Sequence, residues 1–393
     1  RIRAAENALE LLSSSEDVLD RLNDFVQNPE AIAGYPRKEN RSDDYQLLII
    51  TPQAFDSEFE DLSNLYMVRG LLTEVATVED ITSTMSGQDV QEQIRNYIIQ
   101  EYTAHNIEFV LLGGDVEHVP YRGFYCYVES GSGYSDNDIP ADLYYSALDG
   151  TWNDNGNNLW GEIGEDDLLP EVAVGRFSFS NQTELNAMLN KTTAYQDSPI
   201  LGEFTNPLLA GEHLWSDPAT YGSDYLRLLV GYRDDNGYTT IGIPPEQSID
   251  SLYERWQSWY GSTIINEIND GKSFVHHSGH ANSSSVMHLG ISDITNANFS
   301  QVNGIAHNFT FVQSHGCICG AFDDSDCIME HMVKIENFAA AVIGNSRYGW
   351  FNEGQTEGPA AHLHREMMDA LYEKLQTVEQ VPVCSGIFPS CWK

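Results

Sequence analysis

The sequence predicts an α/β protein whose sheets are mostly parallel and carry helices on both faces. Short, continuously apolar segments, each long enough for one strand, alternate with segments that have helical spacing. Strands without polar alternation are typical of parallel sheets that are buried on both sides. A chain of 393 residues with 41% hydrophobic content is long enough for two consecutive α/β subdomains.

The first subdomain is predicted to span residues 1–200. Its periodicity predicts a helix at 3–27, strands at 45–51, 71–78, 108–115 and 171–177, and helices at 54–69 and 89–105. Residues 127–169 interrupt this order and are rich in Gly, Asp, Asn and Ser. We expect a long acidic loop there, because loops of this length inside a compact domain are usually functional or organised by an ion.

The second subdomain is predicted to span residues 201–393. Its pattern predicts strands at 207–212, 239–243 and 339–344, helices at 222–232, 249–270, 326–336 and 358–375, and two further strands described below. A short tail that contains Cys384 and Cys391 follows the last helix. Two α/β halves in succession are the simplest account of this order.

The charge balance of the chain is strongly acidic. It has 20 Lys and Arg against 59 Asp and Glu, which gives a net charge of −39. A field of this sign repels nucleic acid and anionic membranes, so neither is expected as a partner. The same field attracts cationic substrates and keeps a secreted protein soluble. No segment approaches the roughly 18 consecutive apolar residues that a membrane-spanning helix needs, so no membrane span is expected.

Several features favour an extracellular or cell-surface protein. The chain begins at Arg1, as expected for a processed product whose signal peptide has been removed. Six cysteines are too few for a disulfide scaffold, although Cys384 and Cys391 lie close enough in sequence for a local bridge. Asn-x-Ser/Thr sequons, which suggest a secreted glycoprotein, occur at Asn40, Asn181, Asn190, Asn282, Asn298 and Asn308.

Two short segments carry the most informative chemistry. Residues 272–280 read Lys-Ser-Phe-Val-His-His-Ser-Gly-His, and residues 309–317 read Phe-Thr-Phe-Val-Gln-Ser-His-Gly-Cys. Each predicted strand therefore runs into a glycine and then a reactive side chain. If the strands are neighbours in a parallel sheet, His280 and Cys317 emerge at its C-terminal edge, where open α/β sheets bind ligands. Because an imidazole activates a thiol by taking its proton, the pattern favours a cysteine hydrolase.

Other residues compete for both roles. Cys319 would point in the same direction as Cys317 if the strand continued, which makes it the rival nucleophile. His276, His277 and His315 are rival bases, and His315 would share a strand face with Cys317. A lone cysteine after an apolar strand is also often a buried core residue. The spacing of these residues alone therefore does not decide which cysteine and which histidine form the dyad.

Several segments resemble the gingipain family of cysteine peptidases, which shares the caspase-like fold of the caspase and legumain group. In chain order they are Phe-Val-Leu-Leu-Gly-Gly-Asp-Val at 109–116, Val-Pro-Tyr-Arg at 119–122, Asp-Leu-Tyr-Tyr at 142–145, Leu-Asp-Gly at 148–150, Pro-Glu-Val-Ala-Val-Gly-Arg-Phe-Ser at 170–178, Ser-Gly-His at 278–280 and Gly-Cys-Ile-Cys-Gly-Ala-Phe at 316–322. The resemblance covers most of the chain and implies a caspase-like fold.

The resemblance also implies roles by position. Cys317 is the expected nucleophile, His280 the general base and acid, and Glu171 the acid that orients His280. The backbone N–H groups of Cys317 and Ala281 are the expected oxyanion donors, because the carbonyl under attack needs donors aimed at its oxygen. The chain departs from the family at Ala281, where Gly is usual, and at Cys319, where arginine-specific members have a polar residue.

Calcium is the one metal that the resemblance implies. Gingipain-like enzymes bind calcium in their loops, and the acidic stretch offers the oxygen ligands that calcium prefers. The expected ligands within it are Asp142, Asp149, Asn153, Asn155 and Glu162. The chain has no zinc-ligand spacing, and the expected chemistry requires no cofactor.

The sequence therefore predicts a secreted cysteine endopeptidase that hydrolyses polypeptides through a Cys–His dyad and an acyl-enzyme. One alternative is a catalytically silent surface or assembly protein, in which Cys317 is oxidised, disulfide-bonded or buried away from His280. A second is a transpeptidase, which transfers the same acyl group to an amine. The acid that reads the P1 side chain in arginine-specific members has no clear counterpart after Arg176, so the P1 preference stays open, as does the oligomeric state.

Overall fold

The computed structural model of the protein describes residues 44–129, 133–235, 238–352 and 354–376. The predicted helix at 3–27 and the bridge between Cys384 and Cys391 lie outside these residues. The described chain forms two compact units, the first ending at Phe177 and the second beginning at Ser178. Each unit is built on its own parallel sheet.

The first unit is an α/β unit with a four-stranded sheet and a hairpin. Its strands are β1 (Leu47–Thr51), β2 (Thr73–Thr77), β3 (Phe109–Gly113), β4 (Arg122–Val128), β5 (Tyr134–Ala141) and β6 (Ala173–Phe177). Its helices are α1 (Glu60–Val68), α2 (Val78–Thr84), α3 (Val90–His105) and α4 (Leu143–Ser146). The sheet order is β2-β1-β3-β6, and every neighbouring pair is parallel.

The core of this unit follows from its apolar runs and helix signals. All five residues of β1 are buried, as its unbroken apolar sequence predicts. Ile94 and Ile98 of α3 belong to the same buried cluster as Leu48 of β1. Helix α3 begins at the Asp89 cap, whose side chain accepts a hydrogen bond from the N–H of Glu92. These signals confirm the predicted β-α-β-α-β order.

The interruption at 127–169 is less irregular than predicted. Strands β4 and β5 pair in an antiparallel hairpin, so the acidic segment at 134–141 is a strand and not loop. Most residues of β5 remain partly or fully exposed. Main-chain pairing therefore forms this ribbon without the apolar alternation that reveals a half-buried strand in a sequence.

The second unit has a larger parallel sheet and several short antiparallel ribbons. Its strands are β7 (Leu208–Gly211), β8 (His213–Ser216), β9 (Ala219–Tyr221), β10 (Arg233–Asp235), β11 (Tyr238–Thr240), β12 (Asp250–Tyr253), β13 (Phe274–Ser278), β14 (Ala281–Asn282), β15 (Ser285–Val286), β16 (Leu289–Gly290), β17 (Thr310–Ser314) and β18 (Ala339–Ile343). Its helices are α5 (Gln182–Asp197), α6 (Gly222–Leu226), α7 (Gly261–Asn269), α8 (Ile328–Lys334) and α9 (Pro359–Gln376).

The five-stranded sheet of the second unit has the order β12-β7-β13-β17-β18, with all neighbours parallel. Ile264 of α7 and Met332 of α8 pack in one cluster with Val312 of β17. Leu209 of β7 packs in a separate cluster with Met368 of α9. Leu208 of β7 belongs to the first cluster and its neighbour Leu209 to the second. Because neighbouring residues of a strand point to opposite faces, helices cover both faces of this sheet. The predicted layering is confirmed here.

One predicted element was wrong in type. The segment 249–270 was expected to be helical, but it forms strand β12, a turn region and then helix α7. Strand β12 pairs in parallel with β7, and partner strands far away in sequence outweigh weak local helical spacing. Within the described residues, no helix has both the length and the apolar composition needed to cross a membrane.

Candidate active site

The site begins with two neighbouring strands of the second unit. Strands β13 and β17 pair in parallel, with His277 opposite Ser314 as the last pair. The ladder continues by one further bond, from the N–H of His315 to the carbonyl of His277 at 3.0 Å. His280 and Cys317 each lie three residues beyond this last pair. The prediction that the two strands are neighbours is confirmed, and both reactive residues follow the same sheet edge.

The segment that carries Cys317 is held by hydrogen bonds on both sides of the thiol. The Asn345 amide donates to the carbonyl of Gly316 at 3.1 Å, and the N–H of Ile318 donates to the carbonyl of Arg347 at 2.6 Å. The Cys317 thiol is partly exposed. Within the described part of the chain, the Cys317 N–H donates no hydrogen bond. This donor is therefore available to a substrate oxygen.

Gly316 permits close contact between the two reactive segments. A Cβ at this position would lie only 2.4 Å from the methyl group of Ala281, so no larger residue fits without movement. Ala281 opens the short strand β14, which pairs with β15. The methyl group that replaces the usual glycine hydrogen at 281 therefore packs directly beside the residue that precedes Cys317.

His280 is exposed, and its hydrogen bonds define its tautomer. Its Nε2 lies 2.9 Å from the carbonyl oxygen of Leu214. A carbonyl only accepts, so Nε2 carries the proton and Nδ1 carries the lone pair of the neutral ring. The edge of Trp215 packs against the imidazole, with 6.2 Å between ring centroids. The ring of His280 is thus oriented with Nδ1 as its basic atom.

Burial disfavours the rival nucleophile and two of the rival bases. Cys319 is fully buried, and burial raises the pKa of its thiol to about 11. His276 and His315 are also buried, and burial lowers the pKa of each to about 3. Both of these rings bond to His364 of α9, His276 at 2.9 Å and His315 through its Nε2. They form a buried histidine chain, His276–His364–His315, that lies away from solvent.

His277, the third rival base, has both ring nitrogens engaged. Its Nε2 lies 3.0 Å from Glu212 Oε1, and its Nδ1 lies 2.8 Å from Ser314 Oγ. The ring is completely buried. Among the histidines proposed from the sequence, His280 alone combines solvent access with a ring nitrogen that keeps a lone pair for a proton.

Glu212 is the acid that the structure places beside the histidines, and the sequence analysis missed it. Its Oε2 accepts the backbone N–H of His280 at 2.9 Å, while Oε1 faces His277. Burial opposes ionisation of this carboxyl, but the charge and hydrogen bond of His277 outweigh burial and lower the pKa of Glu212. Three neighbouring strands of one sheet, β7, β13 and β17, are thus followed by Glu212, His280 and Cys317, a pattern that is visible only once the strand order is known.

Glu171, the orienting acid implied by the resemblance, makes its contacts within the first unit. Its carboxylate accepts the N–H of Leu148 at 2.5 Å. It also lies in a cluster with Asp149 and Asp167, in which one carboxylate oxygen of each is within 4.8 Å of the others. Burial, together with the charges of Asp167 and Asp149, raises the pKa of Glu171 to about 7. Glu212 bonds to the backbone of His280, whereas the imidazole bonds to the Leu214 carbonyl. The orienting role of Glu171 stays a prediction.

The residues predicted to bind calcium are divided among different partners. Both oxygens of Asp142 accept hydrogen bonds from the Arg176 guanidinium, at 2.8 and 2.7 Å. The Asn155 amide donates to Glu162 at 2.9 Å, and the Asn153 side chain accepts the N–H of Asn158 at 3.2 Å. Asp149 lies instead in the carboxylate cluster with Asp167 and Glu171.

A thiol and an imidazole that follow neighbouring strands of a parallel sheet fit the class of caspase-like cysteine peptidases. The sequence profile of peptidase family C25 matches residues 40–383. The chain belongs to this family of gingipain-like cysteine peptidases.

Known relatives support the fold at low sequence identity. The chain is 22% identical to gingipain R2 of Porphyromonas gingivalis over 357 residues, which are 85% of this chain and 40% of that protein. It is 22% identical to gingipain R1 of the same organism over 310 residues, which are 74% of this chain and 26% of that protein. The chain therefore spans well under half the length of these curated relatives.

Solved structures confirm the caspase-like fold predicted from the motifs. The crystal structure of the Arg-specific cysteine proteinase gingipain R matches with a TM-score of 0.62 at 20% identity, covering 89% of this chain and 72% of that one. The complex of Porphyromonas gingivalis RgpB pro- and mature domains matches with a TM-score of 0.57 at 19% identity, covering 86% and 69%.

Proposed function

We propose that the protein is a cysteine endopeptidase in which Cys317 is the nucleophile and His280 the general base and acid. The observation that carries the proposal is the register of β13 and β17, which leads to His280 and Cys317 at matching positions beyond the strand ends. Membership of peptidase family C25 supports it. The substrate class is a polypeptide, whose scissile carbonyl is attacked by the thiolate.

The tautomer of His280 assigns its part in the reaction. Nδ1 accepts the proton of the Cys317 thiol, and the resulting imidazolium still donates through Nε2 to the Leu214 carbonyl. That carbonyl stabilises the positive charge, because a hydrogen bond to a charged ring is stronger than one to a neutral ring. His280 then gives its proton to the leaving amine. The acyl-enzyme on Cys317 is hydrolysed by water in the second half of the reaction.

The oxyanion that forms on the attacked carbonyl needs donors already in place. The N–H of Cys317 is free to donate, and Ala281 packs beside Gly316 on the other segment. We assign the oxyanion hole to the N–H groups of Cys317 and Ala281. Donors fixed before the reaction cost no reorganisation when the charge appears, which is why such sites accelerate acyl transfer strongly.

Labelling of thiols by an electrophile tests the proposal directly. The protein is treated with iodoacetamide at neutral pH, and mass spectrometry measures the rate at Cys126, Cys317, Cys319 and Cys327, the free cysteines of the described chain. We expect rapid labelling at Cys317 that becomes slow in His280→Ala, together with cleavage of a peptide library. Equal, slow labelling at all accessible thiols, unchanged by the substitution, would sink the proposal and favour a catalytically silent fold.

The same library separates hydrolysis from acyl transfer. A transpeptidase uses the same dyad and differs only in which nucleophile resolves the acyl-enzyme. With an added amine acceptor, we expect hydrolysed products to remain in excess at all acceptor concentrations tested. Ligated products as the main species would overturn the assignment as a hydrolase while leaving the roles of Cys317 and His280 intact.

We also propose a structural calcium ion in the first unit, held by Asp149, Asp167 and Glu171. Their carboxylate oxygens lie within 4.8 Å of one another, and Asp167 Oδ2 is a buried atom with no hydrogen-bond donor in the described chain. Oxygen donors of this kind suit calcium. The ion would neutralise crowded carboxylates and stabilise the fold without taking part in catalysis. A calorimetric titration with calcium alone tests this.

We propose an extracellular or cell-surface location. The net charge of −39 supports a protein that is kept soluble by its surface charge. The sequons support glycosylation unevenly, because Asn308 is buried and its amide bonds to Ile200. Recovery of the protein from the culture medium or surface fraction of its host is the expected result. Recovery from the cytosolic fraction alone would contradict it.

A further inference from the structure

A buried side-chain network joins the two segments of the active site. His277 lies completely buried at the end of β13. One ring nitrogen contacts Ser314 of β17 at 2.8 Å and the other contacts Glu212 at 3.0 Å. Ser314 Oγ also accepts the N–H of Gly316 at 2.9 Å. The network therefore reaches the residue immediately before Cys317.

The ionised Glu212 carboxylate determines which ring nitrogen of His277 must donate a hydrogen bond. The ionised Glu212 carboxylate only accepts, so Nε2 of His277 carries a proton and donates. Its Nδ1 bonds to the Ser314 hydroxyl at 2.8 Å in either protonation state, as acceptor in the neutral ring and as donor in the charged ring that lowers the pKa of Glu212. The same hydroxyl oxygen accepts from Gly316, as a hydroxyl can. Both protonation states of His277 therefore keep every link of the network.

The far end of the network holds the catalytic histidine segment. Glu212 accepts the backbone N–H of His280 with the oxygen that His277 does not use. Gly279 allows this approach, because a Cβ there would lie 2.4 Å from the Glu212 carboxyl carbon. Four consecutive hydrogen bonds therefore run from Gly316, through Ser314, His277 and Glu212, to His280.

We propose that His277 is a positioning residue of the peptidase site: it fixes the separation of Cys317 and His280 by joining their two segments through Ser314 and Glu212. The inference rests on the proposed function. The sheet alone does not supply this restraint, because strand pairing ends at His277 and Ser314, with one further main-chain bond at His315. Beyond that bond, the side-chain network adds a hydrogen-bonded link between the segments to the packing of Ala281 against Gly316. Small displacements of reacting groups cost large factors in rate, so the link matters for catalysis.

The test uses the full chain and compares matched serine variants. Ser314→Ala removes the hydroxyl that connects His277 to Gly316. Ser278→Ala removes a hydroxyl that is equally buried, one residue beyond His277, but has no hydrogen-bond partner in the described chain. We expect Ser314→Ala to lower kcat about 10- to 100-fold, with KM changed less than about twofold. Ser278→Ala should keep wild-type values.

Two variants of His277 separate its contact with Glu212 from general packing. His277→Phe keeps the ring shape and loses both hydrogen bonds, so kcat should fall about 100-fold. In His277→Gln, the amide N–H reaches the position of Nε2 and can still donate to Glu212. We expect kcat of this variant to exceed that of His277→Phe by about fivefold or more, since one of the two links is restored.

Labelling of Cys317 distinguishes loss of positioning from loss of folding. In Ser314→Ala and His277→Phe, iodoacetamide should still label Cys317 completely but more slowly. The pH profile of the rate should shift upward, towards that of an ordinary thiol, because the contact with His280 is weakened. Labelling of Cys319 or Cys327, which are buried in the folded protein, would indicate a misfolded fraction, and the Cys317 rate of the folded fraction then decides.

The outcomes for the two proposals are distinct. If the wild type cleaves peptides and the Ser314 and His277 variants keep its kcat and pH profile, the positioning role of His277 is overturned and the proposed function stands. If the wild type shows no selective labelling of Cys317 and no cleavage, the proposed function fails first.

Discussion

Glu212 of the second unit and the carboxylate cluster of the first unit lie in opposite electrostatic surroundings. In the second unit, Glu212 is ionised against His277 and the N–H of His280, and these contacts lower its pKa despite burial. In the acidic cluster of the first unit, the carboxylates of Asp149, Asp167 and Glu171 face one another. Burial and a hydrogen bond with Asp149 raise the pKa of Asp167 to about 6. Groups of opposite charge hold one another in a fixed geometry that suits catalysis, whereas groups of like charge retain a proton or bind a cation.

The largest effect is expected from removing the dyad itself. Cys317→Ala should lower peptidase activity by at least about 10³-fold, and His280→Ala by about 10²- to 10⁴-fold, because one removes the nucleophile and the other its base. Steady-state cleavage of a fluorogenic peptide measures both. Cys319→Ala is the matched control, since the thiol of Cys319 is buried and its pKa is raised to about 11. Loss of activity in that control with retention in Cys317→Ala would reverse the assignment.

The next effect compares the acids of the two units. In the wild type, the two Glu212 oxygens accept hydrogen bonds from His277 and from the N–H of His280. In Glu212→Gln one of these oxygens becomes an NH2 group, which then faces an N–H donor. We expect about a 10-fold loss in the rate of Cys317 labelling, because the His280 segment shifts. Glu171→Gln should reduce that rate less than Glu212→Gln does, since its contacts lie among Leu148, Asp149 and Asp167.

The opposite order of the two variants would support the orienting role predicted for Glu171. In that case the hydrogen bond between Glu212 and the His280 N–H would be structural only. Both variants change one oxygen to a nitrogen, so the comparison is matched in size. A melting temperature for each variant accompanies the rate, because a partly unfolded sample would imitate a catalytic defect.

The sequence was sufficient to predict the two strands that lead to His280 and Cys317, but not the position of Glu212 or strand β12. The strands before His280 and Cys317 were predictable because unbroken apolar runs mark parallel strands. Glu212 was missed because an acid after a strand is informative only when the strand order is known, and β7 lies beside β13 through a crossover. Strand β12 was missed for a related reason, since its type is decided by pairing with β7.

The buried histidine chain should make the second unit sensitive to acid. The pKa values of His276 and His315 are lowered to about 3 by burial, whereas an unfolded histidine titrates near 6.5. The unfolded state therefore binds more protons below about pH 6.5, and the free energy of unfolding falls as the pH is lowered from there towards 3. Each such group contributes a slope of up to about 1.4 kcal/mol per pH unit.

His276→Phe tests this contribution. Phe keeps the ring stack with Phe274, whose centroid lies 4.1 Å away, and removes one titrating group. Denaturant unfolding at several pH values should show a shallower loss of stability below about pH 6.5 than in the wild type. An unchanged slope in His276→Phe would show that this ring already becomes protonated in the folded protein.

The smallest effect is expected in the carboxylate cluster of the first unit. Burial holds the pKa of Asp167 at about 6 and that of Glu171 at about 7, above those of unfolded carboxyls. Without calcium, the unfolded state loses these protons first, so stability falls as the pH rises from about 4 to 7. Saturating calcium should remove this fall, because the ion stabilises the ionised form of the cluster.

Asp167→Asn should abolish most of the calcium effect while stabilising the calcium-free protein at neutral pH, since it removes one of the crowded charges. Thermal unfolding with calcium and with EGTA, at pH 5 and pH 7, measures both parts. Asp154→Asn is the control, because Asp154 lies in the same acidic segment but outside the cluster. Equal calcium stabilisation in the wild type and in Asp167→Asn would place the ion elsewhere. The raised pKa values would then reflect a proton that the three carboxyls share. A metal ion would not be needed to explain how this cluster differs from the Glu212 network.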